Sequence, residues 1–145
     1  MTPGCPISGR DVFKFVQGLC TSDITPLFNG DKTCVANSFL NTKGRIIADC
    51  FIYKPQLIGD GRFGDDSLIL EMHTNMHKDL MRYIAIYKLR ADVSIKKVSN
   101  LYSYISTDPI SKGSLLNVPV IASSLDPRFD NGAFKHAFSR TLAAG

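Results

Sequence analysis

A single carboxylate, a basic turn and four thiols are the groups of this 145-residue chain best suited to chemistry. Asp49 follows Ala48 and has no acid beside it. It could accept charge-assisted hydrogen bonds from the N–H groups of a ligand, but it has no adjacent partner for acid–base work. Two other readings stay open for it: a pair with a nearby Arg, or a solvent-facing place on an alternating strand. Lys43 and Arg45 flank Gly44 and bring two cations to one turn. There they could meet an anionic ligand tail or an acidic partner, or simply be solvated. Gly44 itself reads as turn chemistry. Lys88 and Arg90 close a helical stretch, where cations favour the negative end of the helix dipole.

The cysteines are Cys5, Cys20, Cys34 and Cys50, with no C-x-x-C pair and no Cys/His group at zinc spacing. Cys34 and Cys50 fall on two paired strands, so they read either as packed small hydrophobes or as transient cluster ligands. His73 and His77 share a helix face only if one helix runs through both, and the Thr74-Asn75 cap signal starts the helix between them. The expectation is reduced, packed thiols and no stable metal site.

Composition sets the wider bounds. Hydrophobic residues make up 44% and charged residues 21%, with nine Phe and five Tyr for a core. These are values of an ordinary globular domain. The net charge of +4 comes from scattered basic residues without interleaved aromatics, which does not favour a nucleic-acid partner. No apolar run approaches the roughly 20 residues that span a bilayer. Residues 1–6 carry neither a charged n-region nor an apolar h-region, so no secretory signal is expected there, and no Arg-rich transit pattern is visible.

The elements that must position these groups follow from periodicity. Ser8 with Asp11 reads as a capping box for a helix carrying Val12, Phe15, Val16 and Leu19. Thr21-Ser22-Asp23 opens a short turn through Ile24 and Leu27. Residues 33–40 and 45–53 read as strands of a hairpin joined by Asn41-Thr42-Lys43-Gly44, with Gly44 at positive φ. Residues 55–66 form a Gly/Asp-rich loop, and residues 67–72 a strand. A helix from Asn75 to about residue 87 presents Met76, Leu80, Tyr83, Ile84 and Tyr87 as one core-facing stripe. Residues 92–98 and 101–105 read as an antiparallel pair, residues 108–117 as a loop, 118–122 as a strand, Asp126-Pro127-Arg128 as a turn and 133–138 as a last strand. The result is one α+β domain over residues 1–145, with a mainly antiparallel sheet and flanking helices.

Three segments carry a resemblance. Residues 7–24 (ISGRDVFKFVQGLCTSDI) match a G-x-D-a-x-x-F-L-Q-G-l-x-T-N-D pattern, residues 38–49 (SFLNTKGRIIAD) an f-L-x-x-k-G-R-x-x-x-D hairpin, and residues 80–90 (LMRYIAIYKLR) an l-x-x-y-x-x-y-k-l-R stretch; Asp126-Pro127-Arg128 matches a weaker D-P-R. In this order and spacing the chain resembles the N-terminal folate-binding domain of the T-protein-like (YgfZ/GcvT, aminomethyltransferase) family. The L-N-x-K-G-R and Y-K-L-R forms lean toward its mitochondrial iron–sulfur cluster assembly branch.

That resemblance implies an accessory factor for [4Fe–4S] maturation rather than an enzyme, working in the mitochondrial matrix with an A-type scaffold protein and with tetrahydrofolate as the possible cofactor. It implies a cofactor-binding set of Asn37, Lys43, Arg45 and Asp49, with Asp49 holding the N–H groups of a pterin and Lys43 and Arg45 meeting the glutamate tail. No catalytic residue and no metal ligand is assigned. The family's K-G-C-Y-x-G-Q-E motif is absent from these residues and is expected in a part C-terminal to this domain. Two other functions are weighed. A folate-dependent aminomethyltransferase is disfavoured by Ala48, where the family pairs two acids. A tRNA-modification or RNA-binding module is disfavoured by the absence of a P-loop and by the scattered charge.

Overall fold

The computed structural model describes residues 4–55, 63–96, 101–106, 120–129 and 139–144. Among these residues eight strands form two antiparallel sheets. The first sheet has five strands in the order β2-β3-β4-β1-β5: Cys34–Leu40, Ile46–Tyr53, Ser67–Met72, Gly4–Ser8 and Ser94–Ile95. The second has three strands, β6 (Leu101–Ser106), β8 (Ser139–Ala144) and β7 (Val120–Leu125), with β8 in the middle. Helices α1 (Val12–Leu19), α2 (Thr25–Phe28) and α3 (Thr74–Lys88) complete the α+β fold.

The pleat gives the large sheet two buried faces. Val35, Phe39, Ala48, Cys50, Ile52, Leu68, Leu70 and Met72 point to one side, where Val12, Val16, Leu80 and Ile84 of the helices cover them. Cys34, Tyr53 and Ile69 point to the other, where Leu101 of the second sheet joins them. β7 and the 3-10 turn Pro127–Phe129 lie against β2 on that second side.

The hairpin forms as expected. Cys34 pairs with Tyr53 and Ser38 with Asp49, and Gly44 adopts φ +75°. Asn41 organises the turn: its backbone N–H donates to the Arg45 carbonyl, and its side-chain oxygen accepts from the N–H groups of Lys43 and Arg45. β4 covers the expected residues 67–72, and α3 matches the predicted helix to within a residue at each end.

Several expectations are corrected. Ser8 does not cap a helix; it ends β1, a strand the Gly4 and Pro6 punctuation concealed. Pro6 is tolerated inside the sheet because its carbonyl, and hence its missing donor, points to the β5 side, where only two residues pair; the Pro6 carbonyl there accepts from Lys96 N–H. Asp11 precedes α1 without a side-chain cap bond. α3 begins at Thr74, and its cap is His73, whose Nδ1 accepts from Asn75 N–H. Leu80 and Ile84 are buried, but Tyr87 stays 37% exposed and leans on the Tyr83 ring at 4.7 Å, so the buried stripe stops short of it. Residues 94–95 pair with β1 rather than with residues 101–105, which pair with β8. The strand expected at residues 118–122 is β7, at Val120–Leu125. The last described strand is Ser139–Ala144; the expectations for residues 108–117 and 133–138, and for much of the 55–66 loop, lie outside the described residues.

Candidate functional site

A cleft of about 400 Å³ opens beside the β2-β3-β4 strands and is lined by Ser38, Asp49, Phe51, Glu71, His73 and Arg128, among others. Its sheet-borne wall is set by register. Ser38 lies opposite Asp49, and Ala36, Phe51 and Glu71 form the next row across three strands. Ser38 Oγ donates to Asp49 Oδ1 at 2.5 Å, which holds the carboxylate at the cleft instead of leaving it to swing in solvent. Among the described residues no Arg forms an ion pair with it.

Glu71 is 2% exposed, and its Oε2 accepts from the Tyr53 hydroxyl at 2.7 Å. A buried acid persists only where hydrogen bonds replace water, and the tyrosine supplies one of them. Arg128 closes the opposite side. Its Nε and Nη2 donate to the two oxygens of Asp126 at 2.9 and 2.6 Å, and its guanidinium lies 5.2 Å from the centre of the Phe51 ring. The hydrogen bond to the buried Asp126 carboxylate raises the guanidinium's pKa above its ordinary value, so the cation is fixed in charge as well as in place.

The edge of the cleft is made by the loop after α1. Asn37 Oδ1 accepts from Thr21 N–H, Thr21 Oγ1 and Ser22 N–H at 3.0, 3.2 and 3.3 Å. Gln17 braces the same loop, accepting from Ile24 N–H and donating to the Ser22 carbonyl. Asp23 accepts from Thr25 N–H at the start of α2. The motif residues of the first segment are thus the ones that shape this edge.

Of the four predicted site residues, Asn37 and Asp49 line the cleft. Asn37 is buried, and its amide oxygen is taken up by Thr21 and Ser22. Lys43 and Arg45 sit at the exposed hairpin tip and do not line it. Glu71 and Arg128 were not among the predicted set. Glu71 could have been noticed as the one acid in an otherwise apolar strand, Ser67-Leu-Ile-Leu-Glu-Met72.

Cys34 and Cys50 point to opposite faces of the sheet and are both buried. Burial pushes the Cys50 thiol pKa up, partly offset by the Asn37 amide, which donates to its sulfur, and pushes Cys20 up to about 12. Both are neutral, unreactive thiols at physiological pH. Among the described residues no group of three or more His, Cys, Asp and Glu side chains is placed to hold a metal ion, and no helix is long and apolar enough to cross a membrane.

No protein-family model matches the chain. Similar curated proteins are fungal and are named iron-sulfur cluster assembly factor IBA57 homolog, mitochondrial. The one from Mycosarcoma maydis is 29% identical over 92% of this chain and 33% of its own length. The one from Scheffersomyces stipitis is 37% identical over 68% of this chain and 31% of its own length. The one from Pyricularia oryzae is 36% identical over 62% of this chain and 21% of its own length. The chain therefore spans a third or less of each of these relatives. Among solved structures, the glycine cleavage system aminomethyltransferase T from Bartonella henselae superposes on 97% of this chain and 39% of its own with a TM-score of 0.62 at 9% identity. The resemblance carried by the three sequence segments holds: the chain is similar in sequence to the iron–sulfur assembly factors and in fold to the glycine-cleavage T-protein.

Proposed function

We propose that this chain serves iron–sulfur cluster assembly in the mitochondrion as a non-enzymatic accessory factor, bearing one wall of a folate cavity and meeting an A-type scaffold protein. The observation that carries this reading is the sequence similarity to the named assembly factors, which runs over 92% of the chain in the Mycosarcoma protein.

The cleft's chemistry supports a folate. Asp49, exposed at the cleft, offers a carboxylate to the N–H-rich side of a pterin, and Phe51, two residues along the same strand, lines the cleft beside it. Lys43 and Arg45, exposed on the hairpin tip, suit an anionic glutamate tail outside the cleft. Methylene transfer is the weaker reading. The residue before Asp49 is Ala48, fully buried against the helix-side core opposite Phe39, so a second acid there would be buried too.

A chimera tests the proposal. Residues 4–144 replace the aligned segment of the Mycosarcoma relative, and [4Fe–4S] enzyme activity is measured in mitochondria that lack the native factor. Restored activity is expected. A chimera that accumulates stably without restoring it overturns the reading.

A further inference from the structure

Away from the cleft, the seam between α1 and the end of α3 forms a second hollow of about 380 Å³, which shares no lining residue with the first. Phe15, Gly18 and Leu19 of α1 and Tyr87 and Ala91 at the end of α3 give it an apolar lining, and the exposed Lys14 stands at its rim. Three features here weaken the chain locally without a compensating contact among the described residues. Gly18 sits in the last turn of α1, where helix propensity disfavours glycine. Its φ is not positive, and nothing lies within 4 Å of the place its Cβ would take, so neither backbone nor packing requires a glycine. Its effect is to leave the α1 backbone bare along the hollow. Leu89, the C-cap of α3, holds φ +41°, a region where glycine or asparagine is the usual choice, and is 87% exposed. Ile86, three positions earlier, is 62% exposed. The apolar surface thus continues from Tyr87 over Ile86 and Leu89, beyond what a small molecule in the hollow would cover.

Charge selects the partner. Lys14, Lys88 and Arg90 are exposed and take part in no ion pair among the described residues. The dipole of α3 favours Lys88 and Arg90 near its C-terminus, but Lys14 in the middle of α1 has no such role. The nearby acids are Asp11 and Asp92. Asp11 Oδ2 is taken up by the Asp92 N–H, and its Oδ1 lies 3.9 Å from Arg10 Nε. A second copy of this chain would bring the same cations to the seam, so like charges would face each other in a two-fold pair. A bilayer would cover Ile86 and Leu89 but has no ridge to enter the hollow. We propose that this seam is a docking surface for an acidic protein segment, which inserts a large apolar side chain between Gly18 and Tyr87 and lays its carboxylates against Lys14, Lys88 and Arg90. The assignment holds whether or not the cleft takes a folate.

The test is a selection of short random peptides displayed on phage against the immobilised 145-residue chain, followed by NMR titration of the 15N-labelled chain with the enriched peptides. The enriched sequences are expected to set Asp and Glu around one or two Leu or Phe residues, and their shift changes to centre on Lys14, Gly18, Tyr87 and Leu89. Gly18→Leu, which fills the hollow with a better helix former, should weaken these peptides about tenfold or more at an unchanged or higher unfolding temperature. Lys14→Glu, at an exposed position, should weaken them to a similar extent and decides the matter if Gly18→Leu does not fold. No enrichment, enrichment without an acidic bias, a footprint elsewhere, or unchanged affinity in the variants would overturn the proposal. So would shifts of the same residues on concentrating the chain alone, which would assign the seam to a second copy. Shifts there with vesicles of phosphatidylcholine and cardiolipin but with no peptide would assign it to a membrane and overturn the proposal equally.

Discussion

Asp11 and Asp92, 81 residues apart, are bonded in both directions. The Asp92 N–H donates to Asp11 Oδ2 at 2.8 Å, and the Asp11 N–H donates to the Asp92 carbonyl at 3.3 Å. This clasp joins the start of α1 to the segment after α3, and Gly9 makes it possible. A Cβ on Gly9 would lie 2.1 Å from the Asp92 carbonyl oxygen, and Gly9 itself is at φ +143°. Gly9→Ala combines a backbone clash with a conformation that side-chain-bearing residues avoid, so a loss of about 3 kcal/mol is expected in urea unfolding. Asp11→Ala removes only the side-chain half of the clasp and should cost about 1 kcal/mol. Equal stability of Gly9→Ala and the wild type would show that the clasp is dispensable.

Gly44 isolates the backbone effect from any clash. Nothing lies within 4 Å of the position its Cβ would take, yet φ is +75°. Gly44→Val should therefore cost about 1–2 kcal/mol through left-handed strain alone. Gly44→Asn, which tolerates that region, should recover much of the loss. Identical unfolding midpoints for the Val and Asn variants would contradict this account.

The two ends of the α3 stripe should respond very differently. Leu80 is fully buried under the sheet, so Leu80→Ala is expected to cost about 2–5 kcal/mol. Tyr87 is exposed at the rim and touches chiefly Tyr83, so Tyr87→Ala should cost about 1 kcal/mol or less. Thermal unfolding of the two variants side by side checks the ordering.

The elements that could be read from the chain are those whose signals are local. The β2-β3 hairpin announces itself through a Gly-ended polar turn, β4 through a short apolar run, and α3 through its 3.6-residue stripe. β1 was hidden because Gly4 and Pro6 are breakers anywhere except at this position, where β5 is two residues long and asks little of Pro6. The partner of residues 94–95 differs from the expected one for a related reason. Proximity in sequence favours residues 101–105, whereas the edge actually available is that of β1, brought alongside through β4. In the site, Asp49 was within reach of a motif reading, because the hairpin register sets it opposite Ser38; Asn37, paired with Cys50, alternates to the other face and reaches the Thr21-Ser22 edge instead. Arg128 was visible only as a motif without a role. Its position depends on β7 and the 3-10 turn returning over Phe51, a long-range contact that no local pattern encodes.

Cys20 gives a pH prediction. Burial raises its thiol pKa from 9.0 to about 12, so the native state holds this proton more tightly than the unfolded chain does. Its contribution to stability is fully present below pH 9. It falls as pH rises toward 12, because the unfolded state then binds fewer protons and the slope of unfolding free energy with pH is negative. At its steepest this single group accounts for about 1.4 kcal/mol per pH unit. Cys20→Ala should lower the neutral-pH stability modestly and flatten the alkaline decline relative to the wild type. Parallel curves for the two proteins between pH 8 and 11 would show that Cys20 is solvated in the native state.

The last prediction concerns affinity. The cleft is walled by the sheet, the Thr21-Ser22 edge and Arg128, and it is open rather than enclosed. A pterin resting there would be desolvated chiefly on the side that meets the protein, so the few polar contacts it makes, that to Asp49 among them, must offset the entropic cost of binding with little apolar burial to help. The isolated chain is therefore expected to bind tetrahydrofolate weakly, with Kd on the order of millimolar, equivalent to about −4 kcal/mol. Asp49→Ala should weaken it further, because the carboxylate that Ser38 holds at the cleft is then gone. Chemical-shift titration of both proteins measures this directly. Micromolar binding by the wild-type chain would show that the cleft is complete as it stands, and millimolar binding unaffected by Asp49→Ala would place the ligand elsewhere.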